Sequence, residues 1–121
     1  MSSRRVERVS ESVREAIAEM LVSEVKDPRI GFVTITGAAI SDDLRHARVL
    51  FSCIGDQNAR DRTLAGLRSA SGFMKTQLMR RLKLRYAPEI IFQFDPTIAE
   101  AERLAALLRD ARKDEEPEGE S

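Results

Sequence analysis

The segment from Asn58 to Leu84 sets the strongest limit on how this chain of 121 residues can fold. Its apolar residues recur at helical spacing on both sides of Ala70-Ser71-Gly72. A continuous helix of this length would measure about 40 Å, at ~1.5 Å per residue. A domain of this size has a radius of gyration of only about 13 Å. The segment is therefore predicted to form two helices with a turn between them, where Gly72 adopts the required backbone angles at the least cost.

A helix and a hairpin are predicted ahead of this segment. From Ser3 to Val25 the apolar residues recur at spacings of three and four, which is typical of an amphipathic helix that ends at Asp27-Pro28. The run from Phe32 to Thr36 predicts a strand, continued to Ile40 past a bulge at Gly37. After a turn at residues 41–43, a second strand is predicted from residue 46 to residue 54. Its core face comprises Ala47, Val49, Phe51 and Cys53.

A third strand and a last helix are predicted after Pro88. Ile90, Phe92 and Phe94 alternate with Ile91, Gln93 and Asp95. Thr97 and Glu100 have the spacing of a capping box for the last helix. The apolar stripe of that helix comprises Ile98, Ala101, Leu104, Ala105, Leu108 and Ala111. Because a helical crossover joins the second and third strands, they are predicted to be parallel, with helices on one sheet face in an α+β two-layer sandwich.

The paired helices are also strongly basic. Residues 62–88 contain seven cationic side chains and no acidic one, although acids make up half of the charged residues of the chain. A helix that begins after the break would offer unpaired N–H groups and a partial positive charge to a phosphate. The predicted RNA-binding residues are Arg68, Ser69, Ala70, Ser71, Gly72, Lys75, Arg80, Arg81, Lys83 and Arg85, with a second group at Arg4, Arg5 and Arg8.

Six of these cations lie on the paired helices or just after them: Arg68, Lys75, Arg80, Arg81, Lys83 and Arg85. At helical spacing their side chains cannot all face in one direction. About four are expected to contact phosphates, which predicts a salt slope near −3 at roughly −0.7 per contact on single strands. The alternative is a solvated helix face, and Gly72 could equally serve packing alone. Arg29 and Arg45 are weaker candidates. Five Phe, one Tyr and no Trp favour recognition of backbone and shape, with Tyr86 as the best stacking candidate.

The remaining composition limits the class of protein. Residues 1–112 suit a single domain, and residues 113–121, with five acids and one lysine, predict a disordered acidic tail. The single cysteine, Cys53, excludes an internal disulfide, and the single histidine, His46, lacks partners for a metal site. No cofactor, nucleophile–base set or phosphate-binding loop is indicated. With no apolar membrane span or signal-peptide core, a cytoplasmic monomer is expected.

The order of elements resembles the KH domain of the second topological type, an RNA-binding module. A standard KH domain has a GXXG loop between its paired helices, whereas this chain has Ala70-Ser71-Gly72. In that respect it resembles the ribosome-binding factor A family, in which an Ala-x-Gly kink replaces the loop. The segments 27–35, 41–49 and 71–90 are similar to the family's first strand, hairpin, and kink with basic helix and third strand. The resemblance covers about residues 4 to 109.

This resemblance implies a non-catalytic assembly factor of the small (30S) ribosomal subunit. Such proteins bind 16S rRNA, assist late maturation and processing of its 5′ end, and support growth in the cold. Two other classes stay open from the residues alone. A KH-like module for another structured RNA would bind isolated RNA as tightly as it binds 30S particles. A protein-only adaptor would bind its partner with little dependence on salt. An enzyme belongs to the same class of alternatives, and no phosphate-binding loop, nucleophile–base set or metal cluster in the sequence supports it.

Overall fold

The computed structural model describes residues 3 to 115, which form three helices and a three-stranded sheet. The elements in chain order are α1 (Arg4–Ser23), β1 (Val33–Ile40), β2 (His46–Cys53), α2 (Gln57–Arg81), β3 (Glu89–Phe94) and α3 (Thr97–Glu115). The sheet order is β1-β2-β3, antiparallel between β1 and β2 and parallel between β2 and β3. Helices α1 and α2 pack on one face of the sheet. The predicted α+β class and mixed sheet are confirmed.

Helix α1 is amphipathic, as its spacing predicts. Ser3 caps its start, because the side-chain oxygen accepts a hydrogen bond from the backbone N–H of Val6 at 3.1 Å. Val13, Ile17 and Met20 are fully buried between this helix and the sheet. The four-residue and three-residue steps between them place their side chains on one face. The helix ends at Ser23, four residues before the predicted stop at Asp27-Pro28.

The hairpin of β1 and β2 supplies most of the sheet's core face. Ala47, Val49 and Phe51 are fully buried, as predicted for the core face of β2, whereas the fourth predicted member, Cys53, is only partly buried. The pairing passes from Ile35 opposite Phe51 to Gly37 opposite Leu50, so the extra residue of the bulge is Thr36. The bulge therefore lies one residue before the position predicted, Gly37. The Thr36 hydroxyl donates to Oδ2 of Asp95 at 2.7 Å and links the bulge to the end of β3.

Helix α2 is one continuous helix of 25 residues, so the predicted turn at Ala70-Ser71-Gly72 is wrong. The spacing of its buried residues shows why: Thr63, Leu67, Met74 and Leu78 keep one helical stripe through the supposed break. A sphere with a radius of gyration of about 13 Å is about 34 Å across, and a helix of this length measures about 37 Å. The helix therefore spans the domain, with no need to turn back.

Helix α3 starts where it was predicted but differs from the prediction in its first-turn hydrogen bonds, its apolar stripe and its end. It starts at Thr97, whose N–H donates to Oδ1 of Asp95 at 2.9 Å. The N–H of Glu100 donates to the carbonyl oxygen of Pro96 at 2.8 Å, and the described hydrogen bonds do not include the expected capping box between Thr97 and Glu100. Leu104 and Leu108 are 57% and 59% exposed, so the apolar stripe lies on the surface. The helix continues to Glu115 and includes the first three residues of the predicted tail. Residues 116–121 lie outside the described part of the chain.

Candidate nucleic-acid interface

The middle of α2 presents a different surface from the one predicted. Because the helix is continuous, the backbone N–H groups around Phe73 lie in the helix interior and no helix begins there. A phosphate site at that supposed helix start is therefore excluded. The Ser71 hydroxyl donates to the carbonyl oxygen of Arg68 at 2.8 Å, and the Thr76 hydroxyl donates to that of Gly72 at 3.2 Å. The Ser71 hydroxyl was expected to donate to a phosphate, but its hydrogen already bonds a carbonyl oxygen of the same helix.

The two glycines of α2 have different surroundings. A Cβ added at Gly66 would lie 2.7 Å from Cγ1 of Ile30, so this glycine is required by packing. A Cβ added at Gly72 would meet nothing within 4 Å. Glycine in a helix interior costs about 1 kcal/mol relative to alanine. The domain's own packing does not explain that cost at Gly72, so the packing interpretation of this residue is not supported.

Two predicted RNA-binding cations of α2, Lys75 and Arg81, are in ion pairs. Nζ of Lys75 lies 2.9 Å from Oε1 of Glu89, and this hydrogen bond lowers the pKa of the Glu89 carboxyl. The guanidinium of Arg81 contacts Glu24 and lies 3.9 Å from Oε1 of Glu19. These two cations join α2 to β3 and to α1. They are weaker candidates for phosphate contact than the sequence suggested.

Arg68 and Arg80 are exposed on α2 and remain available. Among the side chains described, residues 3 to 111, neither lies within 4.0 Å of a carboxylate oxygen. Arg4 and Arg8 are exposed on the first turns of α1. The predicted set is thus divided between cations that hold the fold together and cations that face solvent.

The groove beside Ser69 and Ala70 contains charges of both signs. It has a volume of about 250 Å³ and is lined by Glu24, Lys26 and Asp27 as well as by Phe73. The guanidinium and backbone N–H of Arg29 hold the pKa of Asp27 at about 2, from an ordinary value of 3.8. Arg81 and Arg29 pair with the two carboxylates, so Lys26 is the lining cation of this groove that is outside the described ion pairs. The acidic residues come from the end of α1 and the loop after it, which sequence spacing alone does not place here.

The end of α2 provides a basic cleft instead. Lys83 and Arg85 lie with Arg5 of α1, and with Arg45 and Tyr86, around a cleft of about 530 Å³. The carbon of the Arg45 guanidinium lies 4.2 Å from the centroid of the Tyr86 ring. Tyr86 is the stacking candidate that the sequence indicated, whereas Arg45 was a weak candidate, because its pairing with Tyr86 depends on how the hairpin turn meets the loop before β3. We call this site the α2-end cleft.

Two backbone segments form the sides of the cleft: the hairpin turn between β1 and β2, and the loop before β3. At the hairpin turn, Oδ1 of Asp43 accepts hydrogen bonds from the Ser41 hydroxyl at 2.6 Å and from the Arg45 N–H at 3.0 Å. On the other side, Tyr86 is followed two residues later by the fully buried Pro88. The N–H of Glu89 donates to the carbonyl oxygen of Arg45 at 2.8 Å and joins the two sides.

The described residues also limit other kinds of site. Among the described side chains of residues 3 to 111, no group of three His, Cys, Asp or Glu could hold a metal ion. Between residues 3 and 115, no helix combines the length and apolar character needed to cross a bilayer.

Comparison with known proteins agrees with this architecture. A profile of the family "Ribosome-binding factor A" matches residues 5–108. The ribosome-binding factor A of Geobacter metallireducens is 42% identical over 112 residues, which cover 93% of this chain and 95% of that protein. The solution structure of a Thermotoga maritima protein proposed to be a ribosome binding factor A superposes with a TM-score of 0.68 at 32% identity, over 77% of this chain and 89% of that one.

A third similarity concerns the fold alone. A Thermus thermophilus ribosome binding factor A, fitted into a cryo-EM map of a 30S complex, matches with a TM-score of 0.58 at 22% identity, over 72% of this chain and 91% of that one. The profile match covers most of the chain, and the Geobacter relative is well above 30% identical over nearly its full length. This chain therefore belongs to the ribosome-binding factor A family.

Proposed function

We propose that this protein is a non-catalytic assembly factor that binds the small (30S) ribosomal subunit and contacts 16S rRNA. The observation that carries the proposal is the family match over residues 5–108. The Thermus thermophilus relative of the same fold, described as part of a 30S complex, supports the choice of the small subunit. Within that role, the protein assists late maturation of the subunit and processing of the 16S rRNA 5′ end, and supports growth in the cold.

The charge distribution supports contact with RNA. Arg68 and Arg80 are exposed along α2, and Lys83 and Arg85 continue the basic surface beyond its end. Arginine binds phosphate through two parallel N–H groups, so it suits an RNA backbone. The action proposed is binding by charge and shape, by a monomer in the cytoplasm that requires no cofactor. Residues 1–112 act as one RNA-binding domain, and of the acidic tail expected at residues 113–121 the first three residues belong to α3.

Co-sedimentation with purified 30S subunits tests the proposal. The variant Arg68→Glu/Arg80→Glu reverses two exposed charges that form no described ion pair, and it is expected to weaken 30S binding on the order of tenfold or more. The matched control is Arg103→Glu/Arg109→Glu, which makes the same charge change on α3. We choose Arg80 without Arg81, because Arg81 contacts Glu24 and its reversal would disturb folding as well.

Equal loss of binding in both double variants would point to overall charge, and unchanged binding in the α2 variant would contradict the proposed interface. Absence of the wild-type protein from the 30S fraction would contradict the function itself. If isolated structured RNA bound the wild type as tightly as 30S particles did, the alternative of a KH-like module for another RNA would be favoured. Thermal unfolding of every variant serves as the folding control.

A further inference from the structure

The α2-end cleft contains more positive charge than the fold itself requires. Four cationic side chains line it, from Arg5, Arg45, Lys83 and Arg85, together with the single carboxylate of Asp43. That carboxylate already accepts hydrogen bonds from Ser41 and from the backbone of Arg45. Within residues 3 to 111, none of the four cations lies within 4.0 Å of a carboxylate oxygen. Four cations that share one cleft repel each other unless an anion binds between them.

Backbone strain is concentrated at the same place. Leu44, with φ 61°, and Lys83, with φ 53°, are the two non-glycine residues in the described chain with left-handed backbone conformation. Both of them line the cleft. Such residues cost of order 1 kcal/mol or more and tend to occur where a ligand is held. The strain is an observation independent of the charges, and it coincides with them.

The left-handed conformation of Lys83 ends helix α2. The N–H of Leu84 donates to the carbonyl oxygen of Met79 at 2.9 Å, and the N–H of Leu82 donates to that of Leu78 at 2.9 Å. This arrangement ends a helix around a left-handed residue, a position at which glycine is usual. Lysine at this position is less favourable to folding than glycine would be. It does, however, place an ammonium group at the wall of the cleft.

The cleft also contains a stacking platform. The Arg45 guanidinium carbon is 4.2 Å from the Tyr86 ring centroid, and that of Arg85 is 5.6 Å from it. Tyr86 is 45% exposed, although the residues on either side of the cleft are anchored. Unpaired RNA bases stack on tyrosine rings and on guanidinium planes, whereas paired bases are unavailable for such stacking. A volume of about 530 Å³ is in the range of small-ligand sites.

We infer that the α2-end cleft binds one unpaired nucleotide of RNA, with its phosphate among Arg5, Lys83 and Arg85 and its base against the Arg45–Tyr86 pair. This inference rests on the proposed function and adds to it a site for single-stranded RNA. It therefore departs from the expectation that the protein recognises only the backbone and shape of RNA, because one base would also be contacted. An acidic protein segment would satisfy the charges, but it would leave the exposed stacking platform without a role.

Fluorescence anisotropy with the full-length protein tests the inference. The probe is a labelled ten-nucleotide oligoribonucleotide, used single-stranded and again after annealing to its complement. Tyr86→Leu is expected to weaken single-strand binding about tenfold, because a base–aromatic stack contributes about 1–3 kcal/mol. Tyr86→Phe keeps the ring and is expected to restore most of the affinity. Neither change should alter duplex binding appreciably.

Lys83→Gly separates binding from folding. Since glycine is favoured at this helix end, the variant is expected to unfold at the same temperature as the wild type or higher. It should nevertheless bind the single strand several-fold more weakly, with a salt slope smaller by roughly 0.7. The control Arg109→Gln removes one charge from α3 and is expected to leave single-strand binding within about twofold.

Three results would overturn the inference. The first is equal affinity of the duplex and the single strand for the wild type. The second is wild-type single-strand affinity in both Tyr86→Leu and Lys83→Gly. The third is loss of 30S binding in these variants without loss of single-strand binding, which would identify an acidic protein partner. Parallel 30S sedimentation of the wild type distinguishes these results from failure of the proposed function, which would instead remove the wild-type protein from the 30S fraction.

Discussion

Arg29 donates a hydrogen bond from Nη2 to the side-chain oxygen of Ser69, 40 residues further along the chain, at 3.0 Å. The same guanidinium lies 2.6 Å from Oδ2 of Asp27. Ile30, the next residue, occupies the space that a side chain at Gly66 would need. The loop between α1 and β1 is thus fastened to the first half of α2. The segment that carries the family resemblance at residues 27–35 has a structural role at this point.

The first prediction concerns the pH dependence of this fastening. The folded-state pKa of Asp27 is about 2, below its ordinary value of 3.8, chiefly because Arg29 donates to the carboxylate. A lowered folded-state pKa means that the ionised carboxylate stabilises the fold above the ordinary value. That contribution is lost as the pH falls from about 4 towards about 2. Asp27→Asn should therefore be less stable than the wild type near neutral pH, with the difference shrinking across this interval.

Urea unfolding followed by circular dichroism at several pH values measures this difference. Asp110→Asn, which removes a carboxylate from the exposed part of α3, controls for the general effect of one negative charge. The free energy of unfolding of Asp27→Asn is compared with that of the wild type. If the difference between them stayed constant from about pH 5 down to about pH 2, the Asp27–Arg29 pair would not contribute to folding as described.

The second prediction compares the two glycines of α2. Gly72→Ala is expected to raise the free energy of unfolding by about 0.5–1 kcal/mol, because alanine favours the helix and its Cβ meets no atom within 4 Å. Gly66→Ala gains the same helical preference but must displace Ile30, which overpacks the contact. The two variants should therefore differ by at least about 1 kcal/mol in urea unfolding, with Gly72→Ala the more stable.

The same pair of variants tests why Gly72 is present. If an RNA backbone approaches the helix closely at this position, Gly72→Ala should bind 30S subunits more weakly despite its higher stability. Gly66→Ala is the control, because it changes α2 on its packed side. Unchanged 30S binding by Gly72→Ala would mean that the exposed surface around this glycine is not in close contact with the subunit.

The third prediction concerns the link between α1 and α2. Arg81 contacts Glu24 and lies 3.9 Å from Glu19, so Arg81→Glu places three carboxylates together. The loss of stability is expected to be up to about 1 kcal/mol, as for a surface ion pair. The swap Glu24→Arg/Arg81→Glu should recover part of it. A double-mutant cycle from urea unfolding measures the coupling, and additivity of the two single changes would refute the pairing.

Local patterns predicted the strands and α1 well because alternation and helical spacing report directly on burial. The predicted turn at Gly72 is wrong, because burial of the apolar stripe on both sides of this residue outweighs the local preference of glycine for turns. The sequence could not predict the long-range ion pairs either. Lys75 pairs with Glu89, and Arg81 with Glu24, only when the helices pack on the sheet. For that reason the sequence could identify a basic segment but not which of its cations remain available.

The last prediction uses that division among the cations. Of the six expected on α2 and just after it, four are outside the described ion pairs: Arg68, Arg80, Lys83 and Arg85. If these four contact phosphates of unpaired rRNA, the logarithm of the 30S association constant should fall with the logarithm of salt concentration with a slope near −3, at roughly −0.7 per contact. Arg80→Gln should reduce the slope by about 0.7, whereas Lys75→Gln should change it less, because Lys75 pairs with Glu89. Sedimentation between 50 and 200 mM KCl, roughly the interval over which such contacts weaken, measures the slope. A slope close to zero would instead indicate docking through protein, which is the behaviour expected of an adaptor.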